Sequence, residues 1–123
     1  MENNVMFPSP VIDGQYNIGH ICTRQQCEAG LADSVAMRWI APNLERQDYT
    51  YLDLERFSNR AANMLASLGV EPGDRVFTFL PRMPELYFAF LGALKRQAVA
   101  GALFANFGED ALLDRLGDSA ARV

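Results

Sequence analysis

The sequence predicts an α/β fold, a three-layer sandwich of helices around a mainly parallel β-sheet. From residue 50 onward, helical and strand patterns alternate as α-β-α-β-α-β, the order expected of such a sheet. Residues 75–80 are rich in β-branched and aromatic side chains, whereas residues 98–103 are apolar without polar alternation. The second pattern is typical of a parallel strand that is buried on both faces. A parallel pair needs a crossover connection, and the segment between these two strands predicts a helix that supplies it.

The connecting helix is marked at both of its ends. Pro84 fits the first turn of a helix, where its missing N–H would have no intrahelical acceptor. Glu85 lies at the positive end of the helix dipole, and Lys95 and Arg96 lie at the negative end. Residues 86–94 are apolar nearly all the way round, so we expect neighbouring elements to cover this helix on most sides.

The first fifty residues show weaker patterns. Residues 1–16 contain several proline and glycine breakers and predict an irregular arm. Asn17 is a good N-cap for a short helix that ends near Gly30. The alternation in Val35–Ile40 and a second run at 48–51 predict an antiparallel ribbon closed by the turn at 41–43.

Two further helices flank the central unit. Thr50 is a suitable N-cap with Asp53 three residues later, and Gly69 is placed to end this helix. Residues 108–119 predict a last helix with three leucines on one face. Residues 120–123 resemble the beginning of another strand, so we expect the chain to be part of a longer one. If its sheet is then incomplete, exposed strand edges and apolar helix faces would make the isolated chain self-associate.

Composition excludes several classes of protein. The formal net charge of −4 argues against a nucleic-acid-binding surface, which is normally basic. The most apolar region, residues 86–107, is interrupted by Lys95, Arg96 and Gln97 and is not expected to span a bilayer. The first sixteen residues do not resemble a signal peptide. We therefore expect a soluble cytoplasmic protein without nucleic-acid or membrane partners.

Motifs that would define a catalytic centre are missing. The closest glycines, Gly69 and Gly73, are four residues apart, which excludes the G-x-G-x-x-G fingerprint, and no P-loop or nucleophile elbow occurs. His20 is the one histidine, so a catalytic triad or metal site is not assembled convincingly. Cys22 and Cys27 are interpreted as reduced packing thiols. From its residues alone the chain is an α/β module without a catalytic centre of its own.

Four motifs in one order carry a family resemblance: SNRAANML, GVEPGDRVF, LPRMPELYFAFLGALK and LFANFGEDALLDRLGDSAARV. The segment that contains them resembles the N-terminal part of AMP-forming acyl-CoA synthetases, members of the adenylate-forming superfamily, and looks most like bacterial acetyl-CoA synthetases. The match is good over residues 48–123 and loose over residues 1–47. We accordingly divide the chain into an N-terminal arm, short helix and β-ribbon (1–47) and a βαβ-type portion of the synthetase domain (48–123).

The resemblance implies a two-step reaction. A small carboxylic acid and ATP, with Mg²⁺, give an acyl-adenylate, and the thiol of CoA then displaces AMP. The family's phosphate loop, magnesium-binding residues and catalytic lysine do not match any segment here, so we expect no catalytic residue, no metal ligand and no bound cofactor in this chain alone. Its expected partner is the rest of its own polypeptide.

The same resemblance points to one candidate site. A Phe-Gly-Gly-Phe-like loop at the entrance for the CoA nucleotide matches residues 104–107, where Phe104 and Phe107 agree with the pattern. Ala105 and Asn106 replace the glycines. The alternative is that both phenylalanine rings pack in the core. Gln97 is a second departure, because the family usually has glycine there and a left-handed glutamine costs about 1 kcal/mol.

Two other functions stay open at this point. A stand-alone α/β module that binds a partner protein without catalysis would explain the missing motifs. An amino-acid-adenylating domain shares the fold, although the tail from residue 103 suits the CoA ligases better. The reading frame after Val123 would discriminate, because a Ser/Thr/Gly-rich loop there favours the ligase.

Overall fold

A computed structural model describes residues 11–123. In chain order its elements are β1 (Val11–Ile12), β2 (Gln15–Tyr16), α1 (Ile18–Ile21), α2 (Arg24–Gln26), a π-helical segment (Cys27–Leu31), β3 (Val35–Ile40), β4 (Arg46–Thr50), α3 (Tyr51–Ser67), β5 (Arg75–Phe79), α4 (Pro84–Lys95), β6 (Val99–Leu103) and α5 (Glu109–Ser119).

The central unit has the predicted crossover topology. Strands β5 and β6 pair in parallel, in a register that runs from Arg75 opposite Val99 to Phe79 opposite Leu103. Helix α4 connects them and packs on both, and α3 packs along α4. The α/β fold class with a parallel sheet is therefore confirmed. Over residues 11–123 the other strand pairs, β1–β2 and β3–β4, are antiparallel.

The last two residues extend the sheet beyond β5. The Arg122 N–H donates to the Arg75 carbonyl (2.8 Å), and the Phe77 N–H donates to the Val123 carbonyl (2.8 Å). The carbonyl just before Arg75 instead accepts from Val99, so the C-terminal residues lie on the edge of β5 opposite to β6. Residues 122–123 thus lie where the sequence predicts another strand to begin, although no regular strand is formed there.

Two apolar clusters hold the elements together. The first joins α3, α4, β5 and the segments that precede β5 and β6, through Leu65, Val70, Val76, Ala93 and Ala98. The second joins β4, α3 and α4 through Tyr49, Leu54 and Phe88, and the Tyr49 and Phe88 rings are edge-on at 5.3 Å. Gly92 allows the closest approach of α3 and α4, because a Cβ there would lie 2.6 Å from the Cβ of Ala61.

Local signals place the ends of α3 and α4. The Thr50 hydroxyl accepts from the Asp53 N–H, and the Asp53 carboxylate accepts from the Thr50 N–H, so a complete capping box begins α3. Gly69 follows the end of α3 with a φ of +79°, a left-handed conformation that glycine adopts without strain. Pro84 is in the first turn of α4, as predicted. No helix of residues 11–123 is both long enough and apolar enough to cross a bilayer.

Burial of the central unit was overestimated at β6. Tyr87 and Phe90 on α4 are 46% and 38% exposed, and β6 exposes Val99 and Ala102. The expectation that β6 is buried on both faces is therefore wrong for this chain. Helix α4 is covered on most sides, as expected, because nine of its twelve residues are buried or half-buried. The two exposed rings lie on the part of α4 that α3 and the strands leave uncovered, and β5 covers only one edge of β6.

Residues 11–16 are more regular than the predicted arm. Residues 1–10 of the predicted arm lie outside the described residues, but residues 11–16 form a hairpin with its turn at Asp13 and Gly14. The predicted helix from Asn17 begins correctly but breaks at Thr23, where the backbone leaves helical geometry (φ −127°, ψ −85°). The Thr23 hydroxyl donates to a carboxylate on α3 and so fixes this break.

The segment before residue 48 packs against the synthetase-like portion. The Asn17 amide donates to the Leu94 carbonyl (2.7 Å), and the Trp39 indole N–H donates to the Arg82 carbonyl (3.0 Å). Strand β4 spans the predicted boundary between residues 47 and 48. The division of the chain at this boundary stays a prediction.

Candidate functional site

The candidate site lies at the carboxyl end of the parallel strands. The loop 104–108 follows β6, and the loop 80–83 follows β5, so both leave the sheet at the same end of the two strands. In open α/β sheets, ligands bind outside the carboxyl ends of the strands. The fold therefore puts the predicted loop, residues 104–107, where a ligand-binding loop is expected.

The two phenylalanines of this loop are in contact. Their ring centroids are 5.3 Å apart with the planes at 86°, an edge-to-face arrangement. The Phe107 N–H donates to the Phe104 carbonyl (3.0 Å) and closes a turn. Phe107 is half-buried, whereas the Phe104 side chain is 72% exposed. The alternative that both rings pack in the core is wrong for Phe104.

The tip of the loop carries the two residues that replace glycines. Ala105 and Asn106 are both exposed. Neither has a positive φ, so the loop does not need glycine for its backbone conformation. The substitutions therefore change how closely a ligand can approach the tip, without adding backbone strain.

Helix α5 contributes a residue that sequence reasoning did not single out. The Arg115 guanidinium carbon lies 4.2 Å from the centroid of the Phe107 ring, within cation–π range. One of its nitrogens donates to the Ala111 carbonyl (3.0 Å), which anchors the side chain on its own helix. The only feature of the sequence that indicated this contact is the helix start directly after Phe107. A helix that begins there brings its second turn back over the loop.

A cavity of about 550 Å³ lies beside this loop. Its walls come from β5, β6, the loop and α5, with Phe77, Leu103, Phe104, Phe107, Arg115 and Asp118 among the lining residues. The lining carries one cationic and one anionic side chain, Arg115 and Asp118, and the exposed aromatic ring beside it offers a face on which a flat ring system can stack.

Arg82 lies in the loop 80–83, and Pro84 directly follows that loop. Pro84 begins α4, and the Arg82 carbonyl accepts the indole N–H of Trp39. The start of α4 and the hydrogen bond from β3 account for these two residues.

A second polar cluster lies between α3, α4 and the break after α1. Lys95 Nζ lies 2.6 Å from Glu55 Oε2 and 2.8 Å from the side-chain oxygen Oδ1 of Asn59, and the Thr23 hydroxyl donates to the same Glu55 oxygen (2.7 Å). The side chains of Lys95 and Glu55 are 3% and 18% exposed. The sequence placed Lys95 correctly at the helix end but did not identify its partner.

Burial and hydrogen bonding act in opposite directions on this cluster. Burial alone raises the pKa of Glu55, but hydrogen bonds from Lys95, Thr23 and Asn59 outweigh it and lower the pKa to about 2. Burial lowers the pKa of Lys95, and the Glu55 carboxylate opposes that shift. Three hydrogen-bond donors converge on this carboxylate and stabilise its ionised form, which explains why the pKa of Glu55 is lowered.

The remaining candidates for site chemistry are groups of metal-ligating side chains and the two cysteines. Among residues 11–123, no three histidine, cysteine, aspartate or glutamate side chains are grouped closely enough to hold a metal ion. Cys22 is exposed, so a packing role applies only to half-buried Cys27, where burial raises the pKa of the thiol.

Comparison with protein families gives one match that covers most of the chain. A family model described as "AMP-binding enzyme" matches residues 23–123. This range includes the loop 104–107, the central βαβ unit and helix α3.

Curated relatives align with nearly the whole chain. The acetyl-coenzyme A synthetase of Bacillus subtilis is 42% identical over 111 residues, which are 89% of this chain and 19% of the relative. The acetyl-coenzyme A synthetase of Streptomyces coelicolor is 36% identical over 111 residues, 90% of this chain and 17% of the relative. The chain thus spans less than a fifth of the length of these relatives.

Solved structures share the fold. An acyl-CoA synthetase from Brucella canis superposes with a TM-score of 0.78 at 36% identity, over 85% of this chain and 19% of that one. An acetoacetyl-CoA synthetase from Streptomyces lividans superposes with a TM-score of 0.77 at 26% identity, over 86% of this chain and 16% of that one.

Proposed function

This chain belongs to the AMP-binding enzyme family, and we propose that it is the N-terminal scaffold of an acid–thiol ligase that makes acyl-CoA. The substrates are a carboxylic acid, ATP and CoA, and the acid is acetate or another short-chain acid. The observation that carries the proposal is the 42% identity to an acetyl-coenzyme A synthetase over 89% of the chain.

The proposed reaction solves a chemical problem in two steps. A carboxylate is a poor electrophile because its charge is delocalised and its oxygen is a poor leaving group. Attack of the carboxylate on the α-phosphate of ATP forms the acyl-adenylate and releases pyrophosphate. The thiol of CoA then attacks the acyl carbon, its proton is lost, and AMP leaves with the electron pair of the broken bond.

Within this reaction we assign the loop 104–107 to the entrance for CoA. The exposed ring of Phe104 offers a stacking face for the adenine of CoA, and such stacking contributes about 1–3 kcal/mol per base. Phe107 supports that ring from the protein side, and Ala105 and Asn106 form the tip that the nucleotide passes. The position at the carboxyl edge of the strands supports this assignment.

The rest of the chain supplies a framework instead of reacting groups. ATP and magnesium are proposed to bind to parts of the enzyme that these 123 residues do not include, and the chain alone is expected to be inactive. Its main partner is the remainder of its own polypeptide. We propose the cytoplasm as the site of the reaction.

The test compares this 123-residue chain with the complete product of the gene that encodes it. Both are assayed for acetate-dependent exchange of pyrophosphate into ATP and for formation of acetyl-CoA, with propionate and a long-chain acid as alternative substrates. The expected result is activity with a short acid in the complete product and none in the chain alone.

Two outcomes would contradict the proposal. Exchange activity in the isolated chain would refute its scaffold role. A complete product that activates none of the acids would refute the ligase and favour a stand-alone α/β module that binds a partner protein.

A further inference from the structure

We infer that Arg115 is a positioning residue that holds the aromatic loop in the conformation that receives CoA. The inference rests on the proposed function, because it concerns the loop assigned to the CoA entrance. Arg115 itself is not assigned a contact with the ligand.

The loop and α5 form a stack of three side chains. The guanidinium of Arg115 lies over the Phe107 ring at 4.2 Å, and the edge-to-face contact then joins Phe107 to Phe104 at 5.3 Å. The order is therefore a charged group on the helix, a half-buried ring and an exposed ring. Because Phe107 is the middle member, a force that fixes its plane also limits the orientations open to Phe104.

Arg115 is itself held in place by its helix. Its guanidinium donates to the Ala111 carbonyl one turn earlier in α5, so the group is tied to a rigid element while its face rests on the ring. The turn bond between Phe107 and Phe104 fixes the loop backbone but leaves the rings free to rotate. The ring contacts and the backbone bond thus restrain different degrees of freedom.

This restraint on the rings bears directly on binding. An exposed ring that is disordered before binding must lose rotational freedom when a base stacks on it, and this loss weakens binding. A ring that is already oriented avoids most of that loss. Arg115 should therefore affect the apparent affinity for CoA and leave the adenylation step unchanged, since that step precedes thiol attack.

The experiment uses the complete gene product with Arg115→Ala, the conservative variant Arg115→Lys, and Arg60→Ala as a matched control. Arg60 also lies over a phenylalanine, Phe57, at 5.9 Å, but on α3 and outside the loop and its cavity. For each variant the KM for CoA and kcat are measured, together with acetate-dependent pyrophosphate exchange in the absence of CoA.

The expected result is a split between the two half-reactions. Arg115→Ala should raise the KM for CoA about two- to fivefold, the change expected when a cation–π interaction is removed at an exposed site. Exchange activity should stay unchanged. Arg115→Lys should recover part of the loss, because it keeps the cation but not the planar group that stacks on the ring. Arg60→Ala should behave as the unmodified protein does.

Two results would overturn the inference: an unchanged KM for CoA in Arg115→Ala, or a parallel loss of exchange activity. If the unmodified protein makes no acyl-CoA, the proposed function fails, and fluorine NMR still tests the positioning role. In the fluorophenylalanine-labelled protein, the Phe107 resonance, assigned with Phe107→Leu, should shift in Arg115→Ala and not in Arg60→Ala. An unshifted resonance would also overturn the inference.

Discussion

Lys95 on the last turn of α4 forms a 2.6 Å ion pair with Glu55 on α3, and only 3% of the lysine side chain is exposed. The Thr23 hydroxyl and the Asn59 amide donate to the same carboxylate. A charge removed from water in this way is tolerated because a partner and further hydrogen bonds compensate it. The pair joins α3 to α4, and the Thr23 hydroxyl adds the break after α1, so that three segments distant in sequence meet at one carboxylate.

Breaking this pair on one side should destabilise the fold strongly. Lys95→Met leaves the Glu55 carboxylate without its cation, and we expect the free energy of unfolding to fall by about 3 kcal/mol or more. The double variant Glu55→Leu/Lys95→Met should recover most of this loss, since neither charge remains buried. Urea unfolding at neutral pH measures all three proteins.

The exposed pair Arg24–Glu28, with a 2.9 Å contact, provides the control for that prediction. Arg24→Met should leave the free energy of unfolding nearly unchanged, because water screens the pair. A loss in Lys95→Met no larger than the loss in Arg24→Met would contradict the role given to the buried pair.

Acid should weaken the fold through Glu55. The pKa of this carboxyl is lowered from 4.5 to about 2, so its contribution is present above pH 4.5 and is lost as the pH falls toward 2. The shift corresponds to on the order of 3 kcal/mol. Urea midpoints measured between about pH 5 and about pH 2.5 should fall less steeply for Glu55→Gln, which has no titrating group at this position.

A surface carboxylate serves as the comparison for the acid experiment. Glu28→Gln keeps the titrating Glu55 and should follow the pH dependence of the unmodified chain. Parallel curves for Glu55→Gln and the unmodified chain would show that Glu55 does not carry the acid sensitivity.

Replacing Gln97 by glycine should stabilise the fold. Its φ of +60° is left-handed, and its carbonyl accepts from the Gly73 N–H just before β5 (2.9 Å). Gln97→Gly should raise the free energy of unfolding by about 1 kcal/mol, because glycine adopts this conformation without steric conflict. Gln97→Ala keeps the Cβ and the strain, so thermal unfolding should reveal a gain for glycine and none for alanine.

Gly92 should not tolerate even one methyl group. An added Cβ would lie 2.6 Å from the Ala61 Cβ and 2.9 Å from the Ser58 carbonyl oxygen, where α3 and α4 are closest. Gly92→Ala should lower the free energy of unfolding by about 1–3 kcal/mol through overpacking. In α5, Gly117 has open space around the same position. Gly117→Ala should therefore stabilise by up to about 1 kcal/mol, and equal effects in chemical denaturation would refute the packing argument.

The isolated chain should self-associate. Tyr87 and Phe90 lie along an apolar groove of about 670 Å³ between α4 and β3, and the described residues leave one edge of β6 unpaired. The mass from light scattering should rise with concentration, and less so in the double variant Tyr87→Ser/Phe90→Ser. Leu44→Ser, at an exposed turn outside the groove, should leave the association unchanged. A monomer over a wide concentration range would count against this prediction.

The sequence by itself determined the local parts of this structure. The capping box at Thr50 and Asp53, the helix end at Gly69 and the entry of α4 at Pro84 are all where the pattern put them. The parallel pairing of β5 and β6 was also predicted correctly. These features depend on backbone conformations and hydrogen bonds among residues a few positions apart, or on a crossover whose topology has few alternatives.

Only the tertiary structure decided which side chains meet and which remain exposed. The partner of Lys95 lies 40 residues earlier, and Arg115 reaches Phe107 because α5 turns back over the loop. The exposure of Phe104 likewise depends on which elements cover the end of β6. Such contacts depend on distances between packed elements, which hydrophobic periodicity does not encode, and the candidate site is built from them.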